Sequence, residues 1–191
     1  MAKQYIDDQT FEGENFTVNS LPATKFDNCE FINCNLANID LSDIHFSECS
    51  FRGCDLSNTV LTETAFKTVR FKDCKMLGLS FDSCNDFLFA VDFERCQMDM
   101  CCFYQVNLKG TRFNKCKLSE VDFAEADLSD SSFEGSDLTG AIFDHTNLGK
   151  ADFRTARGYA LNPEQNRITK AKFSIDGLPG LLAHFDIEIE H

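Results

Sequence analysis

The sequence predicts an all-β solenoid whose coils have four sides of five residues each. Large apolar residues, mostly Phe and Leu, recur every five residues along most of the chain, and seventeen of the 20 Phe lie on this series. Five residues advance an α-helix by about 500°, and on a flat strand an odd spacing sends successive side chains to opposite faces. The chain must therefore turn a corner every five residues if all these side chains are to point inward.

The residue types within the series show how many corners close one coil. Between residues 26 and 81 the series reads Phe-Phe-Leu-Leu twice and then Phe-Phe-Met-Phe, so it repeats after 20 residues. Four corners therefore make one coil, and like residues one coil apart stack on the same side, as Phe26, Phe46 and Phe66 do. The series shifts by two residues at 82–91, and we expect it to resume at Leu88.

The position two residues before each large residue is a second inward site, and small residues occupy it. Nine of the ten Cys belong to this class, and only Cys102 is expected to face outward. Cys at such positions is a small apolar filler beneath the rings. The first eleven residues have no apolar segment typical of a secretion signal, so we expect free buried thiols in a cytoplasmic protein.

The register shift at 82–91 leaves two aromatic residues outside the series. Phe87 and Phe89 either repack inside as a bulge or, together with Asp86, form a protruding recognition element. Irregular segments in a regular scaffold often carry recognition, so both alternatives stay open.

The segment 158–191 follows the repeat and is predicted to close its C-terminal end. Ile168 and Phe173 return to the series as a last partial coil, Asp176 is expected to cap a short helix with Pro179 in its first turn, and a short strand should follow. The apolar residues of this segment either cover the open end or form a twofold dimer contact. They are Leu178, Leu181, Leu182, Phe185, Ile187 and Ile189.

Charge is distributed unevenly along the chain, which carries 18 Lys and Arg against 31 Asp and Glu, a net charge of −13. Residues 52–117 hold ten bases and eight acids and form a weakly basic belt. Residues 118–149 hold eight acids and no base, a set that we call the acidic collar: Glu120, Asp122, Glu125, Asp127, Asp130, Glu134, Asp137 and Asp144. This acidity either keeps the rod soluble or imitates DNA toward a basic protein groove, and it argues against direct binding to DNA or to an anionic membrane.

Signals of catalysis or of cofactor binding are lacking in the sequence. The four His are scattered, and the Cys spacing is mostly five or twenty residues rather than the C-x2-C of a zinc site. No Gly-rich phosphate loop or nucleophile elbow is present. We therefore expect no catalytic, metal or cofactor site, and a protein that is not an enzyme.

The five-residue units resemble the pentapeptide-repeat family, whose consensus is A-(D/N)-(L/F)-x-x. Ala126-Asp127-Leu128 and Ala151-Asp152-Phe153 match this consensus, and the repeat covers roughly residues 9 to 155. The resemblance implies a right-handed quadrilateral β-helix of about seven coils. It divides the chain into a β-helix at 1–157 and a loop, last partial coil and cap or dimerisation segment at 158–191.

Within that family the chain is similar to the group that protects DNA gyrase, which includes the Qnr and MfpA quinolone-resistance proteins and the microcin B17 immunity protein. The similarity lies in size, in the mid-chain shift of register and in the closing stretch 161–168. It implies a homodimer, joined through the C-terminus, that binds DNA gyrase or topoisomerase IV and shields it from a drug or toxin. The alternative is a general protein-interaction scaffold with no topoisomerase role.

Overall fold

The computed structural model describes residues 5–185, 187 and 188. The strands are two to four residues long, since the chain turns a corner after each of them. They are β1 (Tyr5–Asp7), β2 (Thr10–Glu12), β3 (Lys25–Asp27), β4 (Glu30–Ile32), β5 (His45–Ser47), β6 (Ser50–Arg52), β7 (Ala65–Lys67), β8 (Val69–Lys72), β9 (Val91–Glu94) and β10 (Phe113–Asn114).

The strands form two parallel sheets, each made of strands from successive coils. One sheet has the order β1-β3-β5-β7 and the other β10-β9-β8-β6-β4-β2. Phe26 pairs with Phe46, a step of 20 residues, whereas Phe71 pairs with Phe93 across the register shift, a step of 22. Isolated parallel bridges continue the same ladder toward the C-terminus, as far as the pair of Asp152 and Lys172. The predicted all-β quadrilateral β-helix is confirmed.

The core is a set of ring stacks that run along the coil axis. Rings one coil apart on the same side are nearly parallel, with centroids 4.5 Å apart for Phe81 and Phe103 and 5.2 Å apart for Phe93 and Phe113. Rings on adjacent sides, such as Phe46 and Phe51, and rings on opposite sides, such as Phe93 and Phe103, meet edge to face, which is a favoured aromatic geometry. The predicted inward series therefore fills the coil with aromatic and aliphatic side chains that are almost fully buried.

The small inward residues donate hydrogen bonds to the coil below. The hydroxyls of Thr64 and Ser136 donate to the carbonyls of Leu41 and Phe113, 23 residues earlier, and the Cys74 thiol makes the same contact with Phe51. This shared donor role explains why Cys, Thr and Ser alternate at one position. All ten Cys are free thiols; eight are buried, and two, one of which is Cys102, are partly exposed.

Most corners contain a residue in the left-handed backbone region, two positions after the large inward residue. Examples are Asn28 (φ 47°), Glu63 (φ 56°) and Gly78 (φ 65°). Gly, Asn and Asp adopt this region at low cost, which explains their frequency at the corners. Asp side chains at the outward position before the inward residue support the same turn, since the Asp40 carboxylate accepts the backbone N–H of Ser42 at 2.9 Å.

The register shift is a short turn over residues 86–89. The prediction that the inward series resumes at Leu88 is wrong, because Leu88 is a left-handed residue (φ 60°) with an exposed side chain. Phe89 takes the inward place instead and packs against the rings of Phe66 and Phe81, each at 6.4 Å. The two inserted residues are thus accommodated outside the coil, and the next residue, Ala90, bonds to the Phe66 carbonyl again at 3.0 Å.

The C-terminal segment consists of a 3-10 turn at Ile175–Gly177, a short helix α1 at Pro179–Leu182 and a second 3-10 turn at Ala183–Phe185. Pro179 begins α1 as predicted, but Asp176 is not the cap. The Ser174 hydroxyl accepts the backbone N–H of Gly177 at 3.2 Å, because Ser174 is the residue that precedes the first turn. The predicted final strand is not formed at Ile187 and Glu188, and its remaining residues lie outside the described part of the chain.

Tyr159 closes the end of the coil beneath this segment. Its ring is buried against Phe153 at 5.3 Å and Phe173 at 5.9 Å. Gly180 lies so close that a Cβ there would be 2.3 Å from the Tyr159 carbonyl oxygen, and the Leu161 N–H donates to the Gly180 carbonyl at 3.0 Å. Gly180, which is unfavourable within a helix, is therefore required by the packing of this segment onto the coil.

Candidate functional site: an acidic face

Outward side chains stack in rows, because every coil repeats the same backbone path. On the side whose interior is Leu41, Leu61, Phe81, Phe103, Phe123 and Phe143, parallel bridges join Asp40 to Val60 and Cys102 to Asp122. Residues 20 apart in sequence, or 22 apart across the shift, are therefore neighbours about 4.8 Å apart. Neighbouring charges on the surface are therefore those 20 or 22 residues apart, and not those that are close together in the sequence.

One side of the rod is acidic over most of its length. Its outward positions, with the corner that follows them, carry seven acids and neither Lys nor Arg from residue 40 to residue 145. We call this surface the acidic face: Asp40, Asp43, Glu63, Asp82, Asp122, Glu125 and Asp144. Six of these side chains are exposed and Asp122 is half-buried. The one His on this side, His145, bonds to Asp144 at 2.8 Å.

The charge spacing of the acidic face is close to that of a DNA strand. Five coil steps of ~4.8 Å separate Leu41 from Phe143, a length of about 24 Å. The seven carboxylates lie in three columns of this face, and over about 24 Å their average density along the rod axis is about one charge per 3.4 Å, roughly that of phosphates along one strand of the duplex.

Neutral donors hold two of these carboxylates in their ionised form. Gln105 and Tyr104 donate to Glu125 at 2.7 and 3.1 Å and lower the pKa of its carboxyl group. Ser42 lowers the pKa of Asp40 in the same way. In both cases the main cause of the lowered pKa is a hydrogen bond from a neutral donor and not a Lys or Arg.

The structure does not bring the eight acids of the acidic collar together. Asp122, Glu125 and Asp144 lie on the acidic face, and the other five are spread over the remaining three sides of the coil: Glu120, Asp127, Asp130, Glu134 and Asp137. Two of these five pair with cations one coil further on, Asp130 with Lys150 at 3.4 Å and Asp137 with Arg157 at 3.2 Å.

Three collar carboxylates also have a structural role. Asp122, Asp127 and Asp137 accept the backbone N–H of the residue two positions ahead, at 2.8 to 3.1 Å. The Asp of the five-residue consensus is thus a turn residue as well as a charge. Sequence reasoning missed Asp40, Asp43, Glu63 and Asp82, which the 20-residue step would have aligned with the collar acids.

The opposite face of the coil is mixed in charge. It lies outside the stack that contains Phe51, Phe71, Phe93 and Phe113, two corners away from the acidic face, and it carries most of the predicted basic belt. Its cations are Arg52, Arg70, Lys72, Arg95, Arg112 and Lys115. Lys72 pairs with Glu94 at 3.1 Å, Arg95 with Asp73 at 2.6 Å, and Arg112 with Asp92.

The turn at 86–89 borders the acidic face. Phe87 and Leu88 project from it, each 64% exposed, whereas Phe89 packs inward. Lys67 lies over the Phe87 ring, with its Nζ 4.9 Å from the ring centroid. One aromatic residue of this segment is therefore inside and the other outside. A surface pocket beside the turn is lined by Glu63, Asp82, Asp86, Phe89 and Tyr104, among others.

The predicted dimerisation residues divide into two groups. Leu181 packs against the core, and Leu182 is half-buried, whereas Leu178, Phe185 and Ile187 are exposed. Ile189 lies outside the described residues. The segment thus covers the coil end with some of its apolar residues and presents others to solvent.

The described residues hold no cluster of three or more His, Cys, Asp or Glu side chains suited to a metal ion. None of the helices in residues 5–185 has the length and apolar character needed to cross a bilayer.

Comparison with known proteins identifies the fold family. The model of the pentapeptide repeat region matches residues 24–86 and 108–175, which is more than half of the chain. The chain belongs to the pentapeptide-repeat family. No curated protein sequence matches it significantly.

Two solved pentapeptide-repeat proteins are similar over most of their length. HetL, which is involved in heterocyst differentiation regulation in the cyanobacterium Nostoc sp., is 16% identical; the match covers 90% of this chain and 88% of HetL, with a TM-score of 0.53. A trypsin-treated variant of QnrB1, a plasmid-mediated fluoroquinolone resistance protein, is 19% identical; the match covers 98% of this chain and 100% of that one, with a TM-score of 0.46. The likeness to HetL concerns the fold.

Proposed function

We propose that this pentapeptide-repeat protein is a non-enzymatic binding protein whose acidic face occupies a DNA-binding surface of a type II topoisomerase, either DNA gyrase or topoisomerase IV. The observation that carries the proposal is one face of the rod with seven carboxylates and neither Lys nor Arg, at about the average charge density of a DNA strand. A rigid rod with this spacing offers a groove evolved for phosphates a complementary surface. Occupation of that groove would shield the enzyme from a quinolone or a peptide toxin that acts on its DNA complex.

A homodimer would extend this surface. The side chains of Leu178, Phe185 and Ile187 are exposed in the C-terminal segment, where a second copy can cover them. Two rods joined there would double the length of charged surface. We expect a dimeric mass in sedimentation, and a shift to monomer for the variant Leu178→Lys/Phe185→Lys. A monomeric mass for the unmodified chain would contradict the dimer while leaving the acidic face to be tested separately.

The test of the main proposal is a charge reversal with a matched control. In Glu63→Lys/Glu125→Lys two acids of the acidic face become Lys at left-handed corners, a conformation that Lys115 and Lys150 already adopt. In the control, Asp8→Lys/Glu48→Lys, the same change of charge is made at left-handed corners elsewhere on the rod.

Both variants are compared with the unmodified chain for binding to purified gyrase and topoisomerase IV and for supercoiling in the presence of a quinolone. We expect the unmodified chain and the control to compete with DNA and to restore supercoiling. The acidic-face variant should bind at least tenfold more weakly, because it places cations against a basic groove. Absence of any effect of the unmodified chain on both enzymes would sink the proposal and favour a general interaction scaffold.

A further inference from the structure

The turn at 86–89 is an insertion that the coil itself does not need. Elsewhere one left-handed residue turns the corner within a 20-residue step, whereas Val69 and Val91 are 22 residues apart in the paired ladder. The backbone is paired immediately before and after the turn, by the bonds of Asn85 N–H to Thr64 and of Ala90 N–H to Phe66. The additional residues therefore contribute nothing to the ladder, and their effect is to project side chains beyond the wall.

The turn is held in one conformation by its own contacts. The Phe89 N–H donates to the Asp86 carbonyl at 3.2 Å, and the Phe87 N–H donates to the Asn85 side-chain oxygen at 3.1 Å. The Asn85 amide in turn donates to Glu63 on the acidic face at 3.0 Å. With the Phe89 ring anchored in the core, the projecting side chains need little further ordering when they bind.

The projecting residues are two adjacent apolar residues, whereas the other described left-handed corners carry polar residues or Gly except at Met100. The other non-glycine residues in left-handed corners are almost all Asn, Asp, Glu, Gln, Lys, Arg, Thr or His, whereas Leu88 is aliphatic. Phe87 precedes it, and both side chains are 64% exposed. Burial of one such side chain against a partner removes apolar area from water, and well-packed anchors of this kind dominate binding energy.

Acids surround this apolar tip on the side of the acidic face. Glu63, Asp82 and Asp86 line the adjoining pocket, and Lys67 covers one side of the Phe87 ring. A surface that matches the tip and its rim must present an apolar pocket bordered by cations.

We infer that Phe87 and Leu88 form the apolar anchor that fixes the position of the acidic face on its protein partner, by inserting into an apolar pocket with a basic rim. The inference rests on the proposed function and gives the carboxylates and the anchor different roles in binding. The carboxylates supply attraction that depends on salt, and the anchor supplies contact that persists in salt and slows dissociation.

The experiment compares three variants with the unmodified chain for binding to purified gyrase and topoisomerase IV at low and high NaCl. Phe87→Ala/Leu88→Gly removes the anchor, and Gly suits the left-handed backbone at this position. Phe87→Leu keeps an apolar anchor. Val18→Ala is the control, since Val18 is an exposed apolar residue of the first coil, far along the rod from the turn. Thermal unfolding of each variant shows that the coil is intact.

We expect the double variant to bind at least tenfold more weakly at both salt concentrations, with an unchanged dependence of affinity on salt, and the other two variants to bind within threefold of the unmodified chain. Equal binding by the double variant overturns the inference and leaves the proposed function intact. Loss of the salt dependence in the double variant also overturns it, because the turn would then act through charge. If the unmodified chain binds neither enzyme, the proposed function fails and this inference fails with it.

Discussion

The acidic face and the opposite face cover the same kind of interior, but they differ in whether their acids are paired with Lys or Arg. Beneath both faces Phe rings stack at similar distances, as Phe103 on Phe123 at 5.4 Å and Phe113 on Phe133 at 5.2 Å do. On the opposite face acids and cations alternate from coil to coil and pair, as Arg112 and Asp92 do. On the acidic face, none of the seven described carboxylates has a Lys or Arg partner, and Asp144 bonds to His145. Asp43 and Glu63 are neighbours one coil apart, and this pair of like charges is a cost to the fold that pairing with a cation could have avoided.

Inward side chains determine the coil, whereas outward side chains determine the charge of its surface. Side chains that point inward are constrained by packing, so they vary little from coil to coil. Side chains that point outward affect stability weakly, and their charge pattern is free to serve binding. A face with seven acids and neither Lys nor Arg between residues 40 and 145 therefore supports the proposed binding role.

The largest expected effect tests the equivalence of the two interiors. Phe103→Ala beneath the acidic face and Phe113→Ala beneath the opposite face should each lower the free energy of unfolding by about 3–5 kcal/mol, because each removes a fully buried ring from the middle of a stack. Chemical denaturation of the two variants measures this. Costs that differ by more than about 2 kcal/mol would show that the two sides are not equivalent inside.

The second effect concerns matched aspartates at left-handed corners of the two faces. Asp73 (φ 56°) on the opposite face bonds to Arg95 through both carboxylate oxygens, at 2.6 and 2.8 Å, whereas Asp43 (φ 60°) on the acidic face is an unpaired exposed acid. Asp73→Asn should lower stability by up to about 1 kcal/mol through loss of this pair. Asp43→Asn should be neutral or slightly stabilising, because Asn tolerates the same backbone and the change relieves repulsion. A larger loss for Asp43→Asn than for Asp73→Asn would contradict the comparison.

The inward residues could be predicted from the sequence better than the arrangement of charges on the surface. The inward series and its small partner positions follow from steric filling of a coil with a fixed repeat, so Phe26 to Phe81 and the Cys positions were predicted correctly. The acidic face was missed because the acids were counted in the block 118–149, although neighbours in a solenoid are one coil apart. The information that aligns Asp43 with Glu125 was present in the sequence, in the same 20-residue period that predicted the fold.

Other details depend on local backbone geometry, which the five-residue repeat of the sequence does not determine. Two inserted residues can place either Leu88 or Phe89 inward, and the outcome depends on the turn that Asp86 and Asn85 stabilise. Ser174 rather than Asp176 caps the first C-terminal turn because of where that turn begins. Gly180 was unfavourable for the predicted helix, and only the proximity of Tyr159 explains it.

The smallest expected effect is a difference in how salt moves the pKa values of carboxyl groups on the two faces. Lys72 lowers the pKa of Glu94, and Arg95 lowers that of Asp73, both on the opposite face. On the acidic face, the lowered pKa of Asp40 comes from its hydrogen bonds to Ser42, which are not ionic. Each of these groups has a folded-state pKa below its unfolded value. Its contribution to stability is therefore present above pH ~4 and is lost as the pH falls through the lowered pKa.

Salt should move these pKa values in different directions. Screening weakens the attraction of Glu94 and Asp73 to their cations, so their pKa values should rise between about 0.05 and 0.5 M NaCl. The same screening weakens repulsion among carboxylates of the acidic face, so the pKa of Asp40 should stay constant or fall. NMR titration of the side-chain carboxyl carbons measures all three groups in one sample. A rise for Asp40 as large as that for Asp73 would mean that cations act on the acidic face after all, and its resemblance to a DNA strand would lose its electrostatic basis.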